Sequence, residues 1–281
     1  MFTFGLEAEP AAPGDEPVLA VPESGTAAHM AWLLGDLASS RLEGERFVAL
    51  RPERIADPAL RRFELLRSTL FRSTLGVHAT PLPPLAARVL AGLAAVLARK
   101  VAAPGLLMAA LPRLERELTV LARLDRVTGL RHPAPSVSQH AASMLPGSAF
   151  GVVLGEEPVV KRLSGRDSTL PVPRPSGPSR VLVAGRTHAP GWVEEFVASL
   201  FASNEVEDVE VPEEATEAWW GTKKVVELVA HPTDLSALAA RVAGRRRGRP
   251  CEWCGATVAK SPCPFCRQVQ LRRPSAPAEA A

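Results

Sequence analysis

All four cysteines of this chain fall between residues 251 and 266, as Cys251-Glu252-Trp253-Cys254 and Cys263-Pro264-Phe265-Cys266. Two residues between paired cysteines let both sulfurs face one point across a tight turn whose amides aim at them. Gly255, directly after the second cysteine, supplies the backbone freedom such a turn asks for. Pro264 stiffens the second turn. Four thiolates in two such pairs make a soft, tetrahedral ligand set with no open position, so its role is structural rather than catalytic. Confinement to one short segment is unlike the scatter of a disulfide framework and points to a cytoplasmic chain.

On Cys251, Cys254, Cys263 and Cys266, segment 250–268 resembles the short zinc ribbons at the ends of many bacterial and archaeal proteins. The resemblance implies one Zn2+ per chain as cofactor. The segment departs from that pattern in its eight-residue spacer and in Arg267, which stands where a glycine often follows the last cysteine. A rubredoxin-type iron site and a redox-active C-x-x-C use the same residue type. The first usually has a longer spacer, and the second normally stands alone at a helix start.

Charge is uneven around this motif. From Arg241 to Arg273 there are nine basic residues and one acid, Glu252, so a chain of formal net charge +3 is an acidic body with a basic tail. Arg249, Lys260 and Arg267 suit neutralisation of the thiolates. Arg245, Arg246, Arg247 and Arg249, with Trp253 and Phe265 expected to be exposed, form the candidate binding surface. It suits phosphate contacts and base stacking, an acidic protein partner or an anionic membrane.

Proline punctuates the rest, with 27 residues in 281. Four prolines between Pro171 and Ser179 predict a semi-extended linker. The expected fold is α+β or mixed α/β. It has a helix-rich body over 1–168, a linker over 169–179, a small β-α-β-β-α domain over 180–243 and a basic tail over 244–281 carrying the ribbon. In the body, strands are expected at 18–21 and 47–50, and a hairpin over 149–163. Helices are expected behind Thr26 and behind Asp57-Pro58, the latter ended by Gly76, then over 85–102 and 107–127. Pro112 should kink or divide the last of these, and Arg113 and Glu117 should pair along it. Residues 132–148 read as a long loop.

Few chemistries have motif support. The N-terminus has no secretory pattern, and the most apolar stretch, 84–111, is broken by Arg88, Arg99 and Lys100. Gly185-Arg186-Thr187-His188 lies between a strand and a helix but lacks the phosphate-loop patterns, and reads as a turn. His29, His78, His132, His140, His188 and His231 lack metal-ligand spacing. Glu205, Glu207, Asp208, Glu210, Glu213 and Glu214 read as a solvated strand face and turn. Trp219-Trp220 closes the small domain if buried and makes a binding patch if exposed. No nucleophile–base pair emerges. The expected function is a non-enzymatic adaptor or accessory subunit of a cytosolic multi-protein assembly, docking protein partners through the ribbon. The alternative is a nucleic-acid-associated protein using the basic tail.

Overall fold

Val225 to Ala230 is apolar and largely β-branched apart from one acid, Glu227, and such a run is at home in a central strand. In the computed structural model it forms β10 (Val225–Pro232), buried along six consecutive residues. The structure describes residues 2–4, 19–21, 46–53, 75–101, 103–164, 169–173, 177–200, 206–244 and 248–270. The result is a mixed α/β fold with six helices among the described residues.

Two larger sheets organise it. β1 (Phe2–Phe4), β2 (Leu19–Val21), β3 (Phe47–Pro52) and β4 (Leu75–Thr80) form a parallel sheet in the order β2-β1-β3-β4. The second joins β5 (Thr119–Leu124), β6 (Ala149–Leu154), β7 (Val159–Leu163), β8 (Ser179–Ala184) and β9 (Val206–Asp208) to β10, in the order β7-β6-β5-β10-β8-β9. Its pairs are antiparallel except β8 with β9. The period of two sorts β10 between two cores. Val229 packs with α1 (Pro84–Lys100), α2 (Pro104–Arg116) and α6 (Leu235–Ala243). Val226, Leu228 and Ala230 face the other way, toward Val193, Phe196 and Val197 of α4 (Pro190–Leu200).

Several expectations are corrected. β5, from the expected body, and β8, from the expected small domain, both pair with β10, so one sheet crosses the proline-rich segment. The stretch expected as helix to residue 127 ends at Arg116, and Thr119–Leu124 pairs as β5 between β6 and β10. Tertiary pairing outweighs the leucine periodicity there. Pro112 lies inside α2 without dividing it. Gly76 belongs to β4 rather than ending a helix.

Glu213 and Glu214 open a helix, α5 (Glu213–Trp220), where no helix was expected. Acids in a first turn complement the helix dipole. A short α3 (Val137–Ser143) sits within the expected loop. Glu117 pairs with Arg241 of α6 at 2.7 Å rather than with Arg113. The helices expected behind Thr26 and Asp57, and Arg245, Arg246, Arg247, Arg272 and Arg273, lie outside the described residues. Among the described residues no helix is long and apolar enough to cross a membrane.

Candidate functional site

An acid in the middle of a buried strand must find partners or lose its charge. Glu227 is 1 % exposed. Its register neighbours are Ala122 on β5 and Ala184 on β8, two small residues that leave room above the carboxyl. The N-terminus of α1 fills that room. Pro83, at the cap position, offers no side-chain cap, and Glu227 takes that role from across the fold. Its Oε1 accepts from Ala86 N at 3.0 Å, and its Oε2 accepts from Trp220 Nε1 at 3.1 Å. Desolvation dominates, and despite these donors the carboxyl is pushed up from 4.5 to about 7.

Glu227 also lines a cavity of about 280 Å³. Ala184, Val211 and Val225 give it apolar walls, and Gly185, His188, Thr216, Lys223 and Glu213 give it polar ones. Gly185 ends β8 in the left-handed region, at φ 71°. A Cβ there would run into the Val225 carbonyl oxygen, so only glycine lets the chain turn this close to β10. Arg186–His188 then form one 3-10 turn before α4. The turn expected from the sequence is therefore present, and it also forms one wall of the cavity. Lys223 lies 3.8 Å from Glu213 and 3.7 Å from Glu217, beyond the usual length of a charge-assisted hydrogen bond. Trp219 and Trp220 are both buried, which resolves them as core.

Two other acids of that region pair within the body, and Glu205 lies outside the described residues. Glu207 meets Arg180 and Asp208 meets Arg186, each at 2.6 Å, and the Glu210 carbonyl accepts from Arg88 at 2.8 Å. Sequence reasoning did not single out Glu227, Lys223 or Thr216. Only Glu227 carried a signal, as the sole charge in a six-residue buried run.

The cysteines converge elsewhere. Their four sulfurs lie within 4.8 Å of one another, with Cys251–Cys266 at 3.6 Å and Cys254–Cys263 at 3.7 Å. Both turns close in the same way. Gly255 N donates to Cys251 O and Arg267 N donates to Cys263 O, each at 2.9 Å. Arg267 takes the left-handed φ of 63° where Gly255 takes 69°, so the arginine in the glycine position keeps the turn geometry. Gln270 Nε2 donates to Cys251 Sγ at 3.1 Å.

The segment is docked on the body. β12 (Thr257–Val258), paired with β11 (Arg249–Pro250), lies so close to α2 that a Cβ on Gly105 would strike the Thr257 carbonyl. Arg46 Nη2 donates to the Cys254 carbonyl. Phe265, expected to be exposed, is fully buried beside Gly76 and Met108. Trp253 is 77 % exposed, as expected, and Arg249 is exposed on β11.

No protein-family model matches the chain, and no curated protein is similar to it in sequence. Solved structures do share its fold. A DegV family protein from Eubacterium eligens, loaded with heptadecanoic acid, matches with a TM-score of 0.54 at 9 % identity, covering 83 % of this chain and 99 % of that one. A fatty-acid-binding DegV family protein from Streptococcus agalactiae matches at 0.50 and 12 % identity, covering 83 % and 98 %. A DegV family protein from Thermus thermophilus, described for fatty acid binding, matches at 0.50 and 15 % identity, covering 73 % and 76 %.

These likenesses correct two expectations. Most of the chain has the fold of proteins described as binding fatty acids, so the readings as an adaptor docking through a ribbon and as a nucleic-acid-associated protein are both withdrawn. Zinc as the chain's cofactor is withdrawn with them. These neighbours are described with fatty acids, and the cysteines amount to a cluster within metal-ligating distance.

Proposed function

We propose that the chain binds an amphipathic carboxylic acid of the fatty-acid class, with its head group in the cavity beside Gly185. The observation carrying this reading is the cavity itself. Its volume of about 280 Å³ is near the lower end of small-molecule pockets, roughly 300 Å³, and its walls are part apolar and part charged. A carboxylate head group finds the Lys223 ammonium, whose own carboxylate partners are loose, and the His188 ring. Glu227 is half protonated near pH 7, which removes part of the charge that would repel such a ligand. The fold neighbours described as fatty-acid-binding support the ligand class.

Native mass spectrometry of delipidated full-length protein, titrated with saturated fatty acids of increasing length, tests the reading. One acyl chain per protein is expected, with weaker binding in Lys223→Glu. If no chain length binds, the reading fails. Cys251, Cys254, Cys263 and Cys266 are proposed separately as metal-ligating residues that hold segment 248–270 together, away from the ligand cavity. Elemental analysis that finds no metal in protein purified without chelator would remove that role. A cytoplasmic location fits four cysteines kept as thiols.

A further inference from the structure

A short helix on a protein surface normally turns its apolar stripe inward. α3 does the reverse. Ser136 and Gln139 form a complete capping box at its start, with Gln139 N donating to Ser136 Oγ at 3.3 Å and Ser136 N donating to Gln139 Oε1 at 2.8 Å. The inward face is polar or small. Gln139 Nε2 donates to the Val160 carbonyl at 2.7 Å, Ser143 Oγ accepts from Val127 N at 2.8 Å, and Ala142 packs against the cluster around Phe150. These contacts fix the helix in rotation.

The outward face carries Val137, Ala141, Met144 and Leu145, at the i, i+4, i+7 and i+8 positions of one stripe. Val137 is 86 % exposed, Met144 77 % and Leu145 54 %. Basic residues stand beside it, in a stretch bounded by Asp125 and by the Glu156-Glu157 turn. Residues 126–155 contain no Asp or Glu, and Arg126, Arg131 and His132 are exposed.

We propose that this ridge, flanked by Arg126 and Arg131, docks the protein on an anionic lipid bilayer. The proposal goes beyond the ligand reading and does not rest on it. A fixed apolar ridge beside basic residues is the pattern of interfacial membrane helices, in which shallow apolar insertion and attraction to anionic head groups add. A stable protein interface needs about 1,000 Å² of buried surface, and four side chains on two helical turns fall well short of it. A bilayer sets no such minimum, because weak and reversible attachment already has an effect there.

The test is co-sedimentation of the full-length protein with vesicles of phosphatidylcholine alone or mixed equally with phosphatidylglycerol. Binding is expected only to the mixed vesicles, and about 0.5 M salt should weaken it. Met144→Ser with Leu145→Ser should lower the partition coefficient at least about tenfold. Arg126→Gln with Arg131→Gln should lower it and remove most of the salt dependence. All four side chains lie outside the core, so circular dichroism and melting temperature should not change.

Equal binding to both vesicle types, no binding to either, or indifference to both double variants would overturn the proposal. So would a ridge variant that changes the solution mass, since the ridge would then be covered by a second copy of the chain. Vesicle binding and fatty-acid binding are read separately, so either can fail without the other.

Discussion

Replacing Glu227 by alanine strips a buried charge and two hydrogen bonds from the centre of the fold. The Ala86 amide and the Trp220 indole N–H lose their acceptor. A buried donor left unsatisfied costs about 1–3 kcal/mol, so the pair costs roughly 2–6 kcal/mol. Against this stands the penalty the wild type carries for an ionised carboxylate at 1 % exposure. The folded carboxyl titrates at about 7 and the unfolded one at 4.5, an interval worth about 3 kcal/mol.

The sign follows from the direction of the shift. A raised folded pKa means that the stability tied to the neutral form is fully present below pH 4.5. It is lost as pH rises to about 7, because the unfolded chain gives up its proton first. The alanine variant lacks this term. Its deficit against wild type should therefore be largest near pH 4.5 and smaller by about 3 kcal/mol above pH 7. Urea unfolding followed by tryptophan fluorescence, run on both proteins across that range, measures the difference at each pH and cancels the other titrating groups. A difference independent of pH would refute the reasoning. It would mean that the α1 N-terminus and Trp220 keep Glu227 ionised throughout.

Three further outcomes are expected. Gly185→Ala forces a Cβ into the Val225 carbonyl at a positive φ, and should lower stability by at least about 1–2 kcal/mol in thermal unfolding and weaken fatty-acid binding. Phe265→Ala empties a fully buried site against Gly76 and Met108, and should cost about 3–5 kcal/mol, read as faster hydrogen exchange across 248–270. Lys223→Glu changes a side chain that is 57 % exposed, so the melting temperature should hold while fatty-acid affinity falls at neutral pH.

Local signals were read correctly where one short-range rule decides the outcome. The alanine- and leucine-rich run behind Pro84, the hairpin flanking Gly155-Glu156-Glu157 and the turn closed by Gly255 all depend on neighbours a few residues away. The periodicity of Leu107, Leu111, Leu114, Leu118 and Leu121 misled because its first three leucines belong to a helix and its last to a strand. Three- and four-residue spacings leave apolar residues available to either element, and only β6 and β10 on the two flanks decide between them. Phe265 looked exposed because so short a segment offers few apolar partners. It is instead enclosed by Cys251, Ala256, Val258 and Cys263 of its own segment, with Gly76 of the body close beside it.

By itself the sequence determined the cysteine turns, the acid set into an apolar strand and the glycine after β8, because each is a demand that one residue places on its own backbone or solvation. Tertiary structure decided what meets those demands. The register of β10 sets Glu227 between two alanines, which admits the N-terminus of α1 and leaves a cavity beside Gly185. That arrangement brings Ala86 and Gly185 to Glu227, across separations that exceed the reach of any local pattern. Long-range pairing is selected by the burial of whole faces, and a slip of one residue would turn Glu227 to the opposite side of the sheet.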